Sequence, residues 1–319
     1  MKRRELLVAA LGAIAPAALA QRKTARVGIL SPRALSESAY APHLVRRLEE
    51  LGYRQGSTMA LEYRSADGVV ERYAALAREL IEQECDLIFT LGLLPARALR
   101  DARAPVPVVF LAIEGDPVRE GLVSNLPRPE GRLTGVYIPQ EAMVGKRFEI
   151  LREVLPVRRL LVLADPTGKA LVETARRSAQ LAGIELTIVQ FTRPPYDFEA
   201  AFQQGLRAEV EAVMLLESPR FSNDRAAISP LMLKHRLPSI SYSIQHVEAG
   251  MLMSFSANQA KAARRTAELA VQILKGAKPA DIPVEQADEF ELTINAKTAK
   301  ALGVKIPESV LARATRIVQ

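Results

Sequence analysis

The stretch LKGAKPADIPVEQADEFELTINAKTAKALGVKIPESVLARA, from Leu274 to Ala314, decides the architecture. It reads as a helix closed by Gly276, an extended run broken by Pro279 and Pro283, a short apolar strand around Glu291 to Ile294, and a final helix. Proline has no N–H to donate and holds its neighbours in extended geometry. A Pro-punctuated crossover between two helices, this late in a chain, carries the polypeptide back to a body already built.

Upstream, short apolar runs alternate with helical patterns. The periodicity predicts strands at Val27–Leu30, Ala60–Tyr63, Leu87–Leu91, Val106–Ile113 and Leu133–Ile138, with helices such as His43–Leu51 and Arg72–Glu82 between them. Near Pro139 the pattern restarts with a helix at Gly145–Leu155. Strands follow at Leu160–Ala164, Glu185–Phe191, Val213–Leu216 and Ser239–Tyr242. Continuous apolar strands separated by helices imply a parallel sheet covered on both faces. Two such units, followed by returns through Gly250–Ser256 and Pro283–Phe290, fit two lobes joined by three crossings. A length of 319 residues agrees with two domains.

The wording of these segments resembles the solute-binding components of bacterial ABC transporters, a family with tryptophan- and tyrosine-binding members. RVGILSP (Arg26–Pro32), LEELGYRQG (Leu48–Gly56), EGDPVREGLVSNLPRPEGRLTGV (Glu114–Val136), GKRFEILREVLP (Gly145–Pro156) and AGMLMSFS (Ala249–Ser256) carry the resemblance, together with the closing stretch. Their order and spacing cover nearly the whole chain. The resemblance implies a type I periplasmic binding protein fold: α/β, with two doubly wound parallel-sheet lobes joined by three hinge crossings. On that basis one lobe takes residues 21–139 plus 257–287, and the other 140–256 plus 288–319. The implied partners are a small-molecule solute and the permease and ATPase subunits of an importer, with the binding protein itself a monomer and without a cofactor.

The first 20 residues read as an export signal peptide. Lys2, Arg3 and Arg4 form a positive n-region, Leu6–Leu19 an apolar stretch, and Ala18-Leu19-Ala20 a small-x-small cleavage site before Gln21. Arg3-Arg4 fits a twin-arginine signal or an ordinary Sec leader. The apolar run is shorter than the ~20 residues that span a bilayer. No Cys follows the cleavage site to take a lipid. A soluble periplasmic protein is the expectation.

The net charge is +7, from 43 Lys and Arg against 36 Asp and Glu. Its arginines are spread along helical patterns, with Glu three or four residues away, and no basic run is interleaved with aromatics. A solvated surface, not a nucleic-acid partner, follows. The one cysteine, Cys85, sits in the apolar context IEQECDLIFT and reads as a small core residue.

Ligands of open parallel sheets bind beyond the carboxyl ends of the strands. That geometry selects Ser31 after the first strand, with Ser36 and Ser38 open to either a ligand role or helix capping. After the third strand come Thr90, Gly92, Leu93 and Leu94. In the resembled family a Thr precedes the Pro of this loop, where its hydroxyl and nearby amides hold a carboxylate. Leu94 removes that hydroxyl here and points to a more apolar or different solute. After the fourth strand stand Glu114, a carboxylate suited to a ligand amine, and Asp116, suited equally to shaping the turn. In the second half, Asp165 and Thr167 follow one strand, and Glu217 and Ser218 another. Ser218 stands where the family carries Asp. Tyr242 and Ser243 end a further strand, where Tyr242 fits either a planar solute or the core.

The motifs of common catalysis are absent. No G-x-G-x-x-G follows the first strand, no P-loop surrounds Gly168-Lys169, and no G-x-S-x-G elbow occurs. His43, His235 and His246 lack metal-ligand spacing. The expectation is a receptor, not an enzyme. A periplasmic enzyme or a sensory ligand module in the same cleft stays open as the alternative.

Overall fold

The computed structural model describes residues 24–112 and 115–319. The leader and Glu114 therefore lie outside the described residues. The first lobe is built on β1 (Ala25–Ser31), β2 (Met59–Ser65), β3 (Leu87–Leu91), β4 (Val108–Ala112) and β5 (Leu133–Tyr137). The second contains β6 (Arg159–Ala164), β7 (Glu185–Gln190), β8 (Ala212–Leu215), β9 (Ser239–Ser241) and β10 (Met253–Ala257). The chain then returns to the first sheet as β11 (Glu285–Gln286), and to the second as β12 (Phe290–Asn295) and β13 (Arg316–Val318).

The six-stranded sheet runs β11-β5-β4-β3-β1-β2 and the seven-stranded sheet β13-β12-β10-β9-β8-β6-β7. Every pairing is parallel except β10 with β12, where the returning chain lies antiparallel. Two α/β lobes with doubly wound sheets, linked by three crossings, are what the sequence pattern and the family resemblance both imply.

The strand pattern explains the layering. Successive side chains of a strand face opposite ways. Val27 and Ile29 of β1 join one buried cluster with Leu44 and Leu48 of the helix Ala41–Glu50 and Ala263, Ala267 and Ala270 of the helix Gln259–Leu274. Leu30 joins the opposite cluster with Leu76 and Leu80 of the helix Tyr73–Glu82. Each such aliphatic side chain contributes about 1.5–3 kcal/mol on burial, so a strand apolar on both faces is stable only between two helix layers. Gly135 in β5 lies against its neighbour strand so closely that a Cβ there would sit 2.0 Å from Phe110 O.

The closing stretch departs from its reading in detail. In place of one final helix it forms two, Ala296–Leu302 and Glu308–Leu311, before β13. Asn295 caps the first by accepting from Thr298 N at 2.9 Å. Gly303, at φ 71°, closes it, and Pro307 opens the second. A left-handed C-terminal glycine and a proline shortly beyond stop a helix.

The crossings fall at 138–139, at Asn258 and at 287–289. They are tied together. Asn258 N donates to Glu289 O at 2.8 Å, and its Nδ2 donates to Glu291 Oε1 at 2.7 Å. Ala287 N donates to Tyr137 O at 2.8 Å. Bundled short crossings of this kind are where a hinge absorbs dihedral change.

Candidate functional site

Between the carboxyl ends of the two sheets lies a cavity of ≈ 80 Å³. The first lobe supplies Pro32 and Arg33 after β1, Tyr40 at the start of the helix Ala41–Glu50, and Leu91 at the end of β3. The second lobe supplies Gln140, Met143 and Arg147 from the helix Gln140–Val154, Glu217 and Ser218 after β8, and Tyr242, Ser243 and Gln245 after β9.

The lobes are closed on each other. Arg33 Nη1 donates to Gln245 Oε1 at 3.3 Å, across the cleft. Arg119, after β4, pairs with Glu141 at the head of the opposite helix. Gly68 lies so near Asn223 that a Cβ on it would meet Asn223 Nδ2 at 2.6 Å.

Two ionisable side chains form the floor of the cavity. Arg147 is 0 % exposed and Glu217 1 %. Arg147 Nη1 donates to Glu217 Oε1 at 2.5 Å, and Nε donates to Phe255 O at 3.0 Å. Burial raises the Glu217 pKa above the usual carboxylate range, against the opposing pull of Arg147. Among the described residues, Arg147 Nη2 and Glu217 Oε2 have no hydrogen-bond partner, and neither does Arg33 Nε. Buried polar atoms are normally satisfied, and each one left open costs about 1–3 kcal/mol. Three open atoms on residues lining one cavity, two donors and an acceptor, describe the complement of a small polar ligand.

Arg33 is 8 % exposed. Its pKa is lowered by burial and then by the like charge of Arg225 in the facing lobe, while Glu37 pulls the other way. Tyr242 donates to Ser218 O at 2.5 Å and sits 2.9 Å from Ser222 Oγ, which fixes its ring at the cavity wall. Burial raises its pKa. Behind it His246 is 0 % exposed, stacked edge-on with Tyr242 at 4.9 Å and bonded from Nε2 to Phe221 O at 3.2 Å.

Of the residues selected from sequence, Glu217, Ser218, Tyr242 and Ser243 line the cavity. Others are near it but occupied elsewhere. Asp165 Oδ1 accepts from Thr167 N at 2.9 Å and Gly168 N at 3.3 Å, and Oδ2 takes the Ser218 hydroxyl at 2.5 Å. It therefore positions Ser218, which also caps the next helix by accepting from Phe221 N. Ser31 is fully buried and accepts from Arg33 N at 3.2 Å, shaping the turn that delivers Arg33. Ser38 lines the cavity, and its hydroxyl accepts from Tyr40 N at 3.3 Å and Ala41 N at 3.1 Å where the chain enters the helix.

The loop after β3 is not at the cavity beyond Leu91. Thr90 is fully buried, Gly92 donates its N–H to Leu111 O at 2.8 Å at φ 121°, and Leu93 and Leu94 pack into apolar clusters of the first lobe. Asp116 closes its own turn, accepting from Val118 N at 2.8 Å and Arg119 N at 3.2 Å.

Arg33 and Arg147 were not selected from sequence, yet they carry the open donors. For Arg147 a signal existed. It stands on the helix face of Met143, Val144, Phe148 and Leu151, all buried, where an arginine at apolar spacing is out of pattern. Among the described residues, no group of three or more His, Cys, Asp or Glu could hold a metal, and no helix is long and apolar enough to cross a membrane.

The family model of the ABC transporter substrate binding protein matches residues 39–318. The chain belongs to that family. This substrate-binding protein is 23% identical over 268 residues to a tyrosine-binding protein of Clostridioides difficile, covering 82% of this chain and 75% of that one. Its structure is similar to that of a conserved domain protein from Vibrio cholerae, with 27% identity, a TM-score of 0.85, and coverage of 92% of this chain and 100% of the other. It is similar too to an ABC domain from Streptococcus pneumoniae solved in complex with L-Trp, with 26% identity, a TM-score of 0.81, and coverage of 93% and 100%.

Proposed function

We propose that this substrate-binding protein is the periplasmic receptor of an ABC importer, exported by its leader and presenting a captured solute to a permease and ATPase. Its solute is a small molecule with a carboxylate or similar acceptor, one polar donor and an apolar body. The observation that carries the reading is the interlobe cavity, where Arg33 of one lobe and Arg147 and Glu217 of the other hold open hydrogen-bonding atoms. Leu91, Ile138, Met143 and Pro219 supply the apolar wall. The tyrosine- and tryptophan-binding relatives support a solute of that size and build.

Closure in this reading is a population shift. A solute that touches Arg33 and Arg147 together meets both lobes in the closed form and one lobe at a time in the open one, and that difference in affinity sets how far the equilibrium moves. The lobes are residues 21–139 with 257–287 and 140–256 with 288–319, moving about the bundled crossings.

Native mass spectrometry of the mature protein purified from its own host, followed by thermal-shift screening of small carboxylates and amino acids, tests the proposal. A retained small molecule, or a Tm that climbs with ligand concentration, is expected; 100-fold excess over Kd corresponds to about 2.7 kcal/mol of stabilisation. An empty cleft and no shift across the screen would reject it. Turnover of a bound compound would move the chain to the enzyme class instead.

A further inference from the structure

The charge and hydrogen-bond balance of the cavity distinguishes between kinds of carboxylate. Among the described residues its charged lining is two arginines, Arg33 and Arg147, and one glutamate, Glu217. Arg147 and Glu217 neutralise each other at 2.5 Å. Among the described residues that leaves one lining cation, Arg33, whose guanidinium is bonded to the neutral Gln245 and faces the like charge of Arg225. Asp165 behind Ser218 is held by two backbone amides and the Ser218 hydroxyl, and Glu37 is exposed, so neither lines the cavity as a free counter-ion.

Glu217 Oε2 is a buried lining acceptor that stays open among the described residues. A zwitterion would leave the charge of Arg33 unbalanced in a buried site, which is costly.

We propose that the solute is a net monoanion, a 2-hydroxycarboxylate with an apolar side chain, and not the matching 2-amino acid. Its carboxylate bridges Arg33 Nε and Arg147 Nη2 from opposite lobes, and its hydroxyl donates to Glu217 Oε2.

This inference rests on the solute-receptor reading, and matched pairs separate the two. Ligand-stripped mature protein is titrated calorimetrically at neutral pH with lactate against alanine, 2-hydroxybutyrate against 2-aminobutyrate, 2-hydroxy-4-methylpentanoate against leucine, and 3-phenyllactate against phenylalanine. Each pair differs only in hydroxyl against ammonium, so wild-type protein suffices. At least one pair binds, with the hydroxy acid tighter by tenfold or more, and Arg33→Gln weakens that hydroxy acid tenfold or more while Tm without ligand stays close to wild type. Equal or tighter binding of the amino acid would overturn the inference and leave the receptor reading standing. Silence from every hydroxy acid overturns it as well, and only an additionally empty native mass spectrum would remove the receptor reading too.

Discussion

Arg147 and Glu217, 70 residues apart in the chain, meet at 2.5 Å with essentially no solvent on either side chain. Removing one member of such a pair leaves the other charge buried and alone, at a cost of about 3–5 kcal/mol, whereas replacing both with apolar groups is often close to neutral. Arg147→Met should therefore lower stability by about that amount, and Arg147→Met with Glu217→Leu should recover most of it. Urea titrations with unchanged m-values check the prediction. A loss in the double variant equal to the sum of the losses of Arg147→Met and Glu217→Leu alone would mean that the pair is not coupled.

Arg33 and Gln245 form a direct hydrogen bond between the cavity walls of the two lobes. A hydrogen bond to a charged group contributes about 1.5–3 kcal/mol net, so Gln245→Ala should shift the ligand-free population towards the open form by roughly tenfold or more. Small-angle scattering reads this as a larger radius of gyration without ligand, which saturating ligand reverses. An unchanged radius would show that closure rests on other contacts.

His246 has its pKa pushed down to about 4, chiefly by burial, with Arg225 and Arg33 adding to the effect and the bond to Phe221 opposing it. The unfolded chain, with His near 6.5, then binds more protons than the folded one between these values, so stability rises with pH. The contribution is fully present above about pH 6.5 and is lost progressively as pH falls towards 4, by about 3 kcal/mol in all. Glu217, with its pKa raised, works in the opposite sense, so the prediction concerns the difference from a reference variant. Relative to His246→Gln, wild type should lose stability across that window, measured by denaturation at pH 7, 6, 5 and 4.5. A constant difference would count against a neutral buried imidazole.

Cys85 is 2 % exposed, and its thiol is pushed up to about 11, mainly by burial and then by Glu62. The thiolate is the reactive form. Folded protein should resist thiol reagents at pH 8 and react fully in denaturant. Labelling of the native state as fast as that of a free thiol would show the first lobe to be open there.

The strands were largely legible because they are apolar on both faces. Leu87–Leu91 coincides with its predicted limits, and Leu133–Ile138 and Leu160–Ala164 differ from theirs by one residue. The edge strands β11 and β13, of two and three residues, were not, since each is too short to carry a periodicity and pairs at the sheet edge with β5 and β12. Glu217, Ser218, Tyr242 and Ser243 line the cavity, as expected from the rule that ligands meet strand ends. Ser31, Thr90, Asp116 and Asp165 satisfy the same rule, but their polar atoms turn inward or bond to neighbouring backbone and side chains. The rule locates the edge of a sheet and not the direction of a side chain.

By itself, the sequence determined two covered parallel sheets, the punctuated returns between them, and the family, because hydrophobic periodicity and proline and glycine placement act locally. Only the tertiary structure decided the site. Arg33 and Gln245 lie 212 residues apart, and Arg147 and Glu217 lie 70 apart. Which cation meets which carboxylate, and which donors stay open, depends on the long-range closure of two lobes that no local pattern encodes.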